Sequence, residues 1–164
     1  AWEKVYAAGY RRIGAAVYKH TPVAEDDFGR IGGCLAAREI LPIKEKDYVP
    51  VLTCDHEDYD AFLAWYKRHR PEAIIAFTER THEYMEKAGI KVPRDCGFAS
   101  LEVSESDDFY AGIRKTHDKI GEVAVELLVN EIKENSWGIP TFQRAVYIEP
   151  VWRDGASLSP RTPA

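Results

Sequence analysis

The run Ala73-Ile74-Ile75-Ala76-Phe77 carries no polar side chain and is bounded by Glu72 on one side and Thr78-Glu79 on the other. A strand with one wet face alternates polar and apolar residues; this one does not. It reads as a strand covered on both faces, the habit of parallel sheets flanked by helices. The rest of the chain alternates in the same sense. Strands are expected at 13–18, 48–53, 96–101 and 142–148, with a short extension at 151–153. Helices are expected between them. Phe28, Ile31 and Leu35 recur at helical spacing over 25–40, and Tyr59, Phe62, Leu63 and Tyr66 over 58–69. Thr78 is placed to cap a helix over 79–88 that stops at Gly89. The clearest helix, 118–134, has Ile120, Val123, Ala124, Leu127, Leu128 and Ile132 on its apolar stripe. Strands alternating with helices predict a three-layer α/β/α fold with a mostly parallel, doubly wound sheet. Trp65, Tyr66, Trp137 and Trp152 are expected to pack, Gly32 and Gly33 to let their helix approach the sheet, and the tail from 157 to fray.

With 164 residues, 45% of them hydrophobic, the chain can build one domain with a real core. Its apolar runs fall far short of the ~20 residues of a membrane span, so no membrane partner is expected. Three widely spaced cysteines, Cys34, Cys54 and Cys96, suit a reduced cytoplasmic compartment and no zinc or redox pair. The net charge of −5, with no Lys/Arg stripe, argues against a nucleic-acid surface within these residues. No export signal is visible, and a start without Met, in mid-helix, suggests a piece of something longer.

Doubly wound sheets bind ligands beyond the carboxyl ends of their strands. Four places in the chain meet that condition: Lys19-His20, Asp55-His56, Thr78-Glu79 and Glu102. Phosphate-loop, dinucleotide and nucleophile-elbow motifs are missing, and His82–Glu86 fails as a zinc motif because its fifth residue is Glu. No cofactor or metal is expected. The acids of 55–60 read first as a helix N-terminus, whose dipole favours them. Arg30 gains nothing from that dipole in the first turns of its helix. It is either a fork reaching over the strand ends toward hydroxyls or carboxylates, or a structural residue, solvated at the surface or paired with Asp26 or Asp27.

Several segments together resemble the lactose-repressor (LacI/GalR) family of bacterial transcription regulators. "AAGYRRIGAAVY" (7–18), "GRIGGCLAA" (29–37), "RPEAIIAFTE" (70–79), "AGIKVPRDCGFASLE" (88–102) and "IGEVAVELLVNEI" (120–132) are similar to family segments and occur in family order. The resemblance implies the C-terminal part of an effector-binding domain of the periplasmic-binding-protein-like type I fold. Residues 1–110 and 141–155 then form the second subdomain, and 111–134 return to the first. The DNA-binding head would lie outside this chain.

The resemblance also implies roles. Arg30 matches the effector-contacting arginine, and Glu102 the acid that holds effector hydroxyls, here one methylene longer than the usual Asp. Thr78 and Glu79 stand where Asn-Asp is frequent, and Asp55 or His56 falls near the position of a sugar-stacking aromatic. The expected partners are a sugar-like small-molecule effector, a second copy in a homodimer, and operator DNA through an N-terminal helix-turn-helix. The expected protein is not an enzyme. Two alternatives remain: a periplasmic-type sugar-binding protein, and a small α/β hydrolase acting through Glu102 and His56.

Overall fold

The computed structural model describes residues 1–18, 25–54, 58–104, 108–114, 116–142 and 144–161, with 25 and 26 by backbone alone. They divide into two compact units, one of Ala1–Arg114 with Trp152–Ala164, the other Lys115–Val151.

The first unit is the doubly wound α/β domain. Its elements run α1 (Trp2–Ala7), β1 (Ile13–Ala16), α2 (Glu25–Ile40), a 3-10 turn (Glu45–Asp47), α3 (Tyr59–His69), β2 (Ala73–Ala76), α4 (Arg80–Lys87), β3 (Gly97–Val103) and β4 (Ala111–Arg114). The sheet order is β1-β2-β3-β4-β5, with β5 at Val151–Arg153. The pairs β1/β2, β2/β3 and β3/β4 are parallel. On its other edge β1 meets Leu52: Leu52 N–H donates to Ala15 O (2.8 Å) and Val17 N–H to Leu52 O (3.0 Å). The chain therefore leaves β1 to one side, reaches Leu52, and returns past β1 to β2. That reversal is the topological switch point at which sheets of this kind hold ligands.

Alternation along the strands sorts the core into two layers. Ile74, Ala76 and Phe98 pack with Phe62 and Trp65 of α3 and Met85 of α4. Ile13, Ala73, Ile75 and Ala99 pack with Val5 of α1, and Ala15 and Val17 meet Cys34 of α2. All four residues of β1 and of β2 are buried, as the apolar run predicts. Asp58 caps α3 by accepting from Ala61 N–H at 2.8 Å, and Arg70 ends it in the left-handed region. Gly14 is required by what faces it: a Cβ there would lie 2.5 Å from the Trp65 ring.

Several sequence expectations need correction. The strand expected at 48–53 is only the bridge at Leu52, because Pro50 has no N–H to donate to a ladder. The segment 111–114 is β4, a strand the pattern did not reveal. α4 is capped at Glu79, not Thr78, and without a side-chain bond. Gly32 and Gly33 face open space, with nothing within 4 Å of a Cβ at either, so they do not serve close packing on the sheet. The tail is not frayed through 161. Ser157 is fully buried, its Oγ donates to Phe98 O (2.8 Å) and accepts from Ala111 N–H (2.8 Å), and Arg161 N–H donates to Ala8 O (2.7 Å).

The second unit holds α5 (His117–Lys133) and the segment that follows it. The helix forms where its spacing predicts, but none of its residues is buried. Ile120, Leu127, Leu128 and Ile132 are exposed, as is Trp137 at 74%, so Trp137 is not the packing residue expected. No strand forms among the described residues of 142–148. Its β-branched and aromatic residues suit a strand, but without a partner ladder a lone strand is not stable in water.

Candidate functional site

The carboxyl ends of β1, β2 and β3 form a rim met by the first turns of α2 and α4. Arg30 projects to it from α2. Its guanidinium is ion-paired with Asp27, one turn earlier on the helix, and lies over the Phe77 ring with Cζ 4.5 Å from the centroid. The side chains of Arg30 and Asp27 are 12% and 1% exposed. Of the sequence readings of Arg30, the ion pair with Asp27 is therefore the one realised. Beside Arg30 an apolar groove of about 330 Å³ runs between α1 and α2 over Ile75 and Leu101. Its lining suits packing more than it suits a hydroxyl-rich ligand.

Phe77 ends β2, and Thr78 and Glu79 follow it directly. Glu79 Oε1 accepts from Ser104 N–H at 3.3 Å and so ties the loop after β2 to the end of β3. Glu102 lies inside β3, two residues earlier than expected for a residue beyond the strand. Ser100 Oγ holds that segment, donating to Glu102 O (2.8 Å) and accepting from Glu102 N–H (3.1 Å). Its neighbour Leu101 packs on the α1/α2 layer. Asp55 and His56 lie outside the described residues.

Tyr18 and Thr81 form a contact beside these residues that sequence reasoning missed. Tyr18 O–H and Thr81 Oγ1 are 3.0 Å apart and join the end of β1 to the first turn of α4. No local signal links residues 63 positions apart. Behind them His82 Nδ1 lies 2.8 Å from Tyr110 Oη, within an aromatic cluster that includes Phe98 and Phe109.

Burial pushes the Tyr18 phenol up to about 12, against an ordinary value of 10. The folded state then holds this proton where the unfolded state releases it. The stabilisation is complete below pH 10 and is lost as pH rises toward 12. Discounted for screening near the rim, the loss amounts to about 1–2 kcal/mol. Burial raises Tyr10 and Tyr66 in the same direction. Urea unfolding between pH 8 and 11.5 should therefore show stability falling above pH ~10, with Tyr18→Phe removing part of the slope.

The doubly wound fold is shared with solved structures of LacI-type transcription regulators. The chain is similar to a LacI family transcriptional regulator from Enterococcus faecium with bound ribose, at 14% identity and a TM-score of 0.67, over 98% of this chain and 61% of that one. It is similar to a LacI-family transcriptional regulatory protein from Corynebacterium glutamicum, at 15% and 0.69, over 98% and 63%. The Escherichia coli transcriptional repressor ascG matches at 11% and 0.69, over 96% and 60%. The chain thus spans less than two thirds of each of these neighbours. Neither a protein-family model nor a curated protein matches the sequence. No helix among the described residues is long and apolar enough to cross a membrane.

Proposed function

We propose that the chain is the sensing part of a LacI-type transcription regulator, and that it binds a small hydroxyl-rich effector, a sugar or sugar derivative, without transforming it. The observation that carries this reading is the rim. The Arg30 guanidinium lies over Phe77 at the end of β2, Glu79 follows it and is tied to the end of β3, and Glu102 lies near the end of β3, which supports this reading. An arginine supplies donors and carboxylates supply acceptors, the complement of a polyol whose hydroxyls do both. Arg30 and Glu102 are the principal contacts, and Thr78 and Glu79 flank them; Asp55 and His56 are secondary candidates. The bound ribose of the Enterococcus faecium neighbour supports a sugar as the ligand class.

In this reading the first unit, residues 1–114 with 152–164, is the second subdomain of a two-part effector domain. α5 contributes to the first, which would account for the exposure of Leu127, Leu128 and Ile132. The effector binds one arrangement of the two subdomains better than the other. That differential affinity shifts a homodimer between states that hold operator DNA differently, through a helix-turn-helix outside these residues. The compartment is the cytoplasm, consistent with the free thiols of Cys34, Cys54 and Cys96.

A thermal-shift screen of neutral sugars and sugar acids tests the proposal. A true effector at a hundredfold excess over its Kd adds about 2.7 kcal/mol of stability by mass action. Arg30→Ala and Glu102→Ala should each abolish that gain. Stabilisation that survives both substitutions would show that the ligand sits elsewhere.

A further inference from the structure

The amino end of the sheet, opposite the rim, holds a second cavity. Arg70 lies just before β2 and Asp95 just before β3, and both line a space of about 290 Å³ where α3 and α4 end. Leu63 of α3, with Ala88 and Ile90 just past α4, gives it apolar walls. That volume is at the lower limit of small-molecule sites, roughly 300–1,000 Å³.

Arg70 is out of place as a structural residue. It stands where the chain leaves α3, with φ +45°. Glycine is the residue that this left-handed position favours, because a side chain crowds the backbone there. Cations in the last turn of a helix answer its dipole, and Lys67, Arg68 and His69 already do so. The end of α3 therefore needs no arginine at 70. The Arg70 side chain is exposed, and among the described residues it makes no hydrogen bond or ion pair. The same is true of Lys67, which also lines the cavity. Asp95 is the one acid among the described residues of the lining, and its charge is already matched. Arg94 Nε donates to its Oδ1 (2.8 Å) and Arg94 Nη2 to its Oδ2 (3.1 Å), and Lys91 N–H adds a bond to Oδ2 at 2.9 Å. Lys67 and Arg70 are left in excess. Tyr66 adds a phenol to the lining. Burial pushes it up from its ordinary value, so it keeps its proton and can donate.

We propose that this cavity is a second binding site, for a small organic anion: a phosphate or carboxylate held by Lys67 and Arg70, with an apolar body lying on Leu63 and Ile90. The proposal uses no residue of the rim and does not depend on the sensing function above. The guanidinium offers a fork to two anionic oxygens, Lys67 a point charge and Tyr66 an O–H. The carboxyl ends of α3 and α4 bring partial negative charge to the same place, so an anion needs both cations. An inorganic anion leaves the apolar wall wet, so a ligand that covers the wall binds better.

Thermal shift and calorimetry on the intact chain test this. The probes are phenyl phosphate and benzoate, with benzyl alcohol as the neutral counterpart, and inorganic phosphate against chloride at matched ionic strength. Phenyl phosphate should raise the wild-type melting temperature by more than inorganic phosphate does, and benzyl alcohol should not raise it. Arg70→Gly should weaken phenyl phosphate binding by about tenfold or more, the scale of one charge-assisted hydrogen bond. The same variant should raise the melting temperature of the ligand-free protein by about 2–4 °C, because glycine relieves the left-handed position. Binding lost while stability is gained is not misfolding. Lys67→Gln should weaken binding likewise, with no gain in stability. Arg68→Gln removes the same charge outside the cavity and should leave binding as it is.

A wild-type protein indifferent to both organic anions overturns the proposal. So does binding that survives Arg70→Gly and Lys67→Gln, or that falls equally in Arg68→Gln, the mark of general charge screening. Anion binding lost in Arg30→Gln instead would belong to the rim, and an equal response to benzyl alcohol would mark an apolar cleft only. Either result sinks the anion site and leaves the sensing function standing.

Discussion

Replacing Phe98 with alanine lowers the unfolding free energy by about 3–5 kcal/mol. Phe98 is fully buried in β3, the strand that pairs with both β2 and β4. Its ring lies 5.6 Å from that of His82 and 5.7 Å from that of Tyr110, and it shares a core layer with Phe62, Trp65 and Met85. Truncation loses the transfer energy of the ring and leaves a cavity that cannot collapse. The strand beneath it is anchored at this residue, because Phe98 O accepts from Ser157 Oγ and Phe98 N–H donates to Ser157 O at 2.8 Å. A domain of this size has only about 5–15 kcal/mol in hand, so at least about a fifth of its stability goes. Urea denaturation should show a lower midpoint with an unchanged slope, the sign of lost stability rather than of an altered unfolded state. A midpoint within error of wild type would mean that the layer repacks freely and that this face of the sheet is not the close-packed core described.

The parts of the fold that were legible in the sequence are those whose physics is local. The Ala73–Phe77 run announces burial on both faces, and β2 has it. The α2 span matches its spacing over Glu25–Ile40, and Asp58 caps α3 where the reading starts that helix. What escaped depends on partners remote in sequence. β4 is four residues, Ala-Gly-Ile-Arg, too short to show a period. The tail looks polar and loose, yet Ser157 is buried because its hydroxyl joins Phe98 to Ala111, a role no composition reveals. The 142–148 segment shows the converse. Its apolar run is a local signal, but a strand needs a neighbour.

The site was legible in the same proportion. That Arg30 would meet Asp27 follows from a spacing of three on a helix, and the sequence offered that pairing as one of two readings. That Phe77 would hold the guanidinium follows from neither residue alone, since it takes the packing of α2 over the end of β2 to bring them together. Thr78 looked like a cap because Thr commonly is one. The helix begins a residue later, and Thr81 in its first turn bonds Tyr18 instead. Short elements shift in this way because a turn of helix is decided by whichever nearby group satisfies its donors.

Two substitutions of the same chemical kind should move stability in opposite directions. Gly112→Ala should destabilise by about 3–5 kcal/mol, in the range reserved for backbone conflicts. Gly112 has φ +155°, and a Cβ there would lie 2.0 Å from Ser100 O and 2.6 Å from Val103 Cγ2. Neither neighbour can step aside. Ser100 is the register partner of Gly112, and the ladder slips between Ser100 and Val103, so the carbonyl belongs to a bulge already held by the Ser100–Glu102 bonds. Pushing on it displaces the segment that carries Glu102 to the rim, so ligand binding should weaken along with stability. Gly32→Ala, in the exposed face of α2, meets nothing within 4 Å. There the substitution gains only helix propensity and should stabilise by about 1 kcal/mol. Parallel urea titrations of the two variants decide the matter. If both shift the midpoint the same way, the close approach of β4 to β3 is not what demands glycine at 112, and the bulge does not hold Glu102 in place.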